Sequence, residues 1–140
     1  MIKHIPLLIP DMPGADEILP FLREIDRSHW YTNFGPLLQR FEAGMARAIG
    51  HAAPGVATVA NCTLGLEVAL AALGLKPGAR VLVPSLTFAA TATAVLRAGM
   101  VPVLGDVDHK NWLLTPATAR AAATRHELAC IMPVAAFGCP

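Results

Sequence analysis

Apolar residues fall along the chain in helical stripes and short runs that alternate with one another. Ala15–His29 places Ile18, Phe21, Leu22 and Ile25 on one face, the spacing of an amphipathic helix. Pro20 interrupts that pattern, so the helix either begins near Leu19 or is kinked at Pro20. Leu37–Ile49 repeats the stripe with Leu38, Phe41, Met45 and Ile49, and Gly50 supplies the left-handed stop that follows many helices. Gly55–Ala60 is short, apolar and rich in Val, which predicts a buried parallel strand. Asn61-Cys62-Thr63 breaks this run with polar side chains. Leu64, Val68 and Ala71–Ala72 then recur at helical spacing, joined by Leu66, Leu70 and Leu73, with Thr63 or Asn61 as the N-cap.

The second half continues the alternation. Lys76-Pro77-Gly78 is a turn, a second strand follows it and ends before Ser85, and Phe88 stands in the loop after it. Ala89–Ala98 predicts a small-residue helix closed by Gly99. Val101–Leu104 predicts a third strand, which Pro102 places near a sheet edge or a strand end. Gly105–Asp108 is a turn. Thr115-Pro116 is a specific helix start, a capping hydroxyl followed by proline in the first helical position. Ala117–Arg125 is then a short helix and Leu128–Val134 a last strand. Ile5–Pro10 holds two prolines and is an extended lead-in.

Strands alternating with helices imply crossover connections, hence an α/β fold with a mainly parallel sheet and flanking helices. A parallel sheet is covered on both faces. The chain stops directly after a strand, so residues 1–140 are expected to be part of a larger domain.

Composition narrows the functional classes. Hydrophobic residues make up 54% of the chain and mean hydropathy is +0.50. The longest apolar run, Leu128–Phe137, falls well short of the roughly 18 residues that span a bilayer. The apolar excess therefore belongs to a core or an interface. Net charge is +1 with no basic run, which argues against a nucleic-acid partner. Cys62, Cys130 and Cys139 are odd in number and lack metal-ligand spacing. Reduced thiols and an N-terminus without a signal peptide fit a cytoplasmic protein.

Ligands of open α/β sheets bind beyond the carboxyl ends of the strands. Asn61–Thr63, Ser85–Phe88 and Phe137–Cys139 fall there. A helix start offers unpaired amides and the positive end of a dipole, which suit a phosphate. An aromatic just past a strand end can lie against a planar ring. Neither a dinucleotide fingerprint nor a Walker motif is present. The bland readings stand beside these. Thr63 serves equally as a plain cap, Phe88 as a core residue, and Trp30 and Tyr31 as packing at a helix end. Asp106 and Asp108 suit a turn, and His109 and Trp112 suit the surface.

The same segments carry a resemblance. IPLLIPDMP, WYTNFGPLLQRFE, VANCTLGLEVALAALGLKPG, VLVPSLTFAATATAVLRAGMVPVLGDVD and IMPVAAFG follow one another in the order and spacing of the N-terminal part of the DegT/DnrJ/EryC1/StrS aminotransferases. The resemblance runs from about Ile5 to Pro140. It implies a partial fold-type I large domain, with residues 1–36 as an arm leading into it, and pyridoxal 5'-phosphate as cofactor. Cys62 and Thr63 match the residues that hold the cofactor phosphate, and Phe88 matches the aromatic stacked on the pyridine ring. Thr32, Asn33 and Gly35 match a loop near the substrate. Cys62 stands where the family usually has glycine, so the turn must accept a side chain. Ala135 stands where many members have histidine in V-H-x-F/Y-G, which bears on the choice of donor or sugar.

The resemblance also implies transfer of an amino group, from a donor such as glutamate, to a nucleotide-linked keto sugar. A homodimer is implied, with Tyr31–Pro36 and the loop after Phe88 near its boundary. The family's Schiff-base lysine is expected beyond Pro140, because the lysines present, Lys3, Lys76 and Lys110, lie in other contexts. The 140 residues alone are therefore expected not to transaminate. Two alternatives stay open: a deoxysugar dehydratase of the same family, with histidine replacing that lysine, and a non-catalytic α/β interaction module.

Overall fold

The computed structural model describes residues 9–50 and 55–138. The expected lead-in from Ile5 to Leu8, and His51 and Cys139, lie outside them. The chain forms two compact units, one ending at Thr58 and one beginning at Val59.

The first unit holds two helices, α1 (Ala15–Ser28) and α2 (Pro36–Ala48). Helix α1 starts at Ala15, not near Leu19. Local capping sets that start: Glu17 reaches back and its Oε2 accepts the Gly14 N–H at 2.8 Å. Asp16 and Glu17 also place negative charge on the positive end of the dipole. Pro20 thus lies in the second turn, where it withholds one donor from the ladder. Helix α2 begins with Pro36 after Gly35 and ends before Gly50, whose φ of 71° is the left-handed stop the sequence predicts. Arg40 bridges the pair. Its guanidinium lies 3.2 Å from Glu24 and 5.4 Å from the centre of the Phe21 ring. Glu42 Oε1 accepts both the amide and the hydroxyl of Thr58, at 2.8 and 2.9 Å.

The second unit comprises α3 (Cys62–Ala72), β1 (Arg80–Pro84), α4 (Ala90–Arg97), β2 (Val101–Gly105), α5 (Pro116–Ala123) and β3 (Cys130–Ile131), then a single 3₁₀ turn at Ala136–Gly138. The strands pair in parallel in the order β2-β1-β3, with Leu82 of β1 opposite Val103 and Ile131. β1 is central and Val81, Leu82 and Val83 are fully buried. Its alternation divides the core. Val81 and Val83 pack under α3 and α4 with Leu70, Ala94, Val95 and Met100. Leu82 faces the other way, toward Val103 and Ala122 under α5. Cys130 packs beside the first of these clusters. The result is the expected α/β architecture, a parallel sheet with a helix layer on each face. Pro102 sits in β2, which has a neighbour on one side only among the described residues.

Two expected strands are corrected. Gly55–Ala60 forms no strand: an apolar run becomes one only by pairing, and no described strand runs beside it. Val59 is accordingly 46% exposed. The last strand is confined to Cys130–Ile131, since Pro133 has no N–H to extend the ladder.

Gly105, at the end of β2, is fixed by space. A Cβ there would lie 2.8 Å from Leu82 Cδ1 and 3.0 Å from Leu114 Cδ1. Gly105→Ala should therefore cost about 1–3 kcal/mol by overpacking, read as a lower urea midpoint in the full-length protein. An unchanged midpoint would show that Leu82 and Leu114 can give way.

Candidate functional site

Helix α3 is capped by Asn61, whose Oδ1 accepts the Leu64 N–H at 3.0 Å. The first intrahelical bond runs from Gly65 N–H to the Asn61 carbonyl at 3.1 Å. The amides of Cys62 and Thr63 precede that bond and have no carbonyl of the helix to pair with. Of the two N-cap candidates the structure selects Asn61, and this leaves Thr63 in the second helical position, half-buried. Its hydroxyl takes no part in the capping bonds. Cys62 is exposed and its φ is not positive, so the turn accepts the side chain that stands in place of glycine without backbone strain.

Phe88 follows β1 in the loop that leads into α4, and its carbonyl accepts the Thr91 N–H at 3.0 Å. Thr91 is buried and pairs with Thr87 through their hydroxyls at 2.8 Å, which pins the loop from below. The Phe88 ring is 80% exposed. Phe88 is thus no part of the core that the described residues form. Both α3 and α4 pack over the same face of β1. A short turn joins the end of α3 to the start of β1 and a short loop joins the end of β1 to the start of α4, so this connectivity directs both helix starts toward the carboxyl ends of the strands.

Phe137, expected at the carboxyl edge, has an aromatic partner that local spacing does not reveal. Trp112, expected at the surface and 52% exposed, lies in the loop after β2 and meets Phe137 in the turn after β3. Their ring centres are 6.0 Å apart in an edge-to-face arrangement, and both residues have left-handed backbones, φ 61° and 58°. Asp108 organises the Trp112 loop: its Oδ1 accepts the amides of Lys110 and Asn111 at 2.8 and 3.3 Å. Those amides, Lys110's foremost, hold the Asp108 carboxyl below its ordinary pKa. This is the turn role expected of Asp108. No signal of local spacing links Trp112 to Phe137, because they belong to different crossovers.

Thr32, Asn33 and Gly35 lie in the first unit, in the connection between α1 and α2. They border a cavity of about 180 Å³ lined also by Glu24, Ile25, Trp30 and Leu38. Asn33 and Phe34 have φ of 52° and 55°. Lys76 is exposed in the turn before β1, at the opposite edge of the sheet from Phe88, and Lys110 is exposed in the Asp108 turn. Among the described residues no group of three or more His, Cys, Asp or Glu is placed to hold a metal ion. No described helix is long and apolar enough to cross a membrane.

The second unit belongs to the class of open parallel α/β sheets, in which ligands bind beyond the carboxyl ends of the strands and a helix start there suits an anion. Comparison with known proteins gives the family. Residues 14–140 match the DegT/DnrJ/EryC1/StrS aminotransferase family, and the chain belongs to it. The protein Rv3402c of Mycobacterium tuberculosis is 38% identical over 129 residues, 89% of this chain and 30% of its own length. A crystal structure from Bacillus cereus, of a candidate PLP-dependent aminotransferase, superposes with a TM-score of 0.86 at 36% identity, covering 97% of this chain and 38% of that one. The PMP form of Spr1654 from Streptococcus pneumoniae, a candidate sugar aminotransferase, gives a TM-score of 0.84 at 25% identity, over 99% of this chain and 33% of that one. The chain thus spans about a third of the length of these relatives.

Proposed function

We propose that residues 1–140 form the N-terminal part of the large domain of a pyridoxal-phosphate-dependent sugar aminotransferase, with residues 1–36 as an arm leading into it. The observation that carries this reading is the carboxyl edge of the sheet. Two helix-start amides without helical partners stand there, with the Thr63 hydroxyl outside the cap and Phe88 open to solvent. These groups fit the cofactor: a phosphate takes N–H and O–H donors at a helix start, and a pyridine ring takes an aromatic face. Cys62 and Thr63 would hold the phosphate, and Phe88 would lie against the ring. When bound, the cofactor supplies the electron-withdrawing ring that makes amino transfer possible. This chain's residues orient that ring and exclude water from one of its faces.

The substrates in this reading are an amino-acid donor, glutamate, and a nucleotide-linked keto sugar, with Thr32, Asn33 and Gly35 beside the sugar. The family relation and the likeness to a candidate sugar aminotransferase support it. Lys76 and Lys110 lie in other contexts than the family's Schiff-base lysine, so in this reading residues 1–140 do not transaminate by themselves. The full protein works as a cytoplasmic homodimer.

The test is spectroscopic and uses the full-length protein. Added pyridoxal phosphate should give an absorption band at about 420 nm, and glutamate should bleach it. A band that glutamate leaves unchanged would point to the dehydratase. Absence of any binding would leave an interaction module.

A further inference from the structure

The Trp30–Pro36 connection holds an energetically unfavourable backbone, and its anchors identify what keeps it there. Asn33 and Phe34 are consecutive non-glycine residues in the left-handed region, where the Cβ crowds the following carbonyl. Each of their carbonyls is taken by a side-chain N–H from outside the pair. Trp30 Nε1 donates to the Asn33 carbonyl at 3.1 Å, and Gln39 Nε2 donates to the Phe34 carbonyl at 2.8 Å. The indole also lies against Gly35: a Cβ there would stand 3.3 Å from Trp30 Cδ1 and 3.5 Å from Cγ. Gly35 has an ordinary φ of −64°, so its lack of a side chain serves the indole and not the backbone. Trp30 is itself fixed at its start by its own amide, which donates to Ser28 Oγ at 3.3 Å.

We propose that Trp30 and Gln39 are positioning residues for the sugar-binding loop. Together they lock Asn33-Phe34 in the left-handed conformation, so that Thr32 and Asn33 are presented to the substrate in a single arrangement. The inference rests on the reading that this loop meets the sugar. Neither side chain needs to touch substrate. Each acts by removing alternative loop conformations, whose ordering would otherwise be charged against substrate binding.

The experiment uses the full-length enzyme with its keto-sugar substrate. Trp30→Phe keeps a ring over Gly35 but removes the N–H, and Gln39→Leu removes the second donor. Each should raise KM for the sugar about fivefold. The turnover number, pyridoxal-phosphate retention and melting temperature should stay close to those of the parent. Hydrogen exchange should quicken within residues 30–36 and nowhere else. Asn33→Ala separates the two layers of the argument. If it raises KM while Trp30→Phe and Gln39→Leu do not, the positioning role is wrong and the loop assignment stands. If none of the three changes KM, the loop does not meet the sugar and both fall. A fall in cofactor retention and melting temperature together would make Trp30 a general packing residue and overturn the proposal.

Discussion

Thr63→Val in the full-length protein is expected to weaken retention of pyridoxal phosphate by about 10- to 100-fold while leaving the fold intact. The substitution is nearly isosteric and exchanges one hydroxyl for a methyl. A hydrogen bond to a charged acceptor contributes about 1.5–3 kcal/mol, which sets that range. Position matters to the second half of the prediction. Had Thr63 been the N-cap, the same change would have cost about 1 kcal/mol of helix stability and blurred the result. The cap is Asn61, and the Thr63 hydroxyl stands outside the capping bonds. Equilibrium dialysis against pyridoxal phosphate, with melting temperature as the control, reads both halves. Unchanged retention would remove Thr63 from the site. A lowered melting temperature in the absence of cofactor would assign the hydroxyl a structural role.

Leu82→Ala is expected to cost about 2–5 kcal/mol, because Leu82 is fully buried at the centre of the sheet. It joins Val103, Ala122 and Leu114 beneath α5, so its loss opens a cavity between the sheet and that helix. The same atom that fills this space, Leu82 Cδ1, blocks a side chain at Gly105. The double variant Leu82→Ala, Gly105→Ala should therefore be less destabilised than the two single changes added together, because the new methyl enters the new cavity. Urea titrations of the four proteins of the cycle measure the coupling. Strict additivity would show that the contact does not constrain either position.

The helix start at Asn61-Cys62-Thr63 was more legible in the sequence than the backbone of the Trp30–Pro36 connection, and the reason is range. A helix start is written within four residues, so Asn61-Cys62-Thr63 before an apolar stripe announces donors wherever the segment finally sits. Phe88 owed its placement to one further step, the rule that loops after parallel strands gather at one edge. The left-handed pair at Asn33-Phe34 carries no comparable local mark. Its conformation depends on donors from Trp30 and Gln39, one on each side, which only the folded connection brings to the two carbonyls.

By itself the sequence determined whatever is settled within about one helical turn. The Thr115-Pro116 start and the stops at Gly50 and Gly99 are of this kind, since capping, proline and glycine act on their near neighbours; the family relation was legible for another reason, the order and spacing of whole blocks along the chain. Only the tertiary structure decided pairing. It left Gly55–Ala60 without a strand partner among the described residues, brought Trp112 to Phe137 across two crossovers, and set Leu82 against Gly105. Each of these depends on a second segment, and a ladder or a packed contact exists only where that segment is.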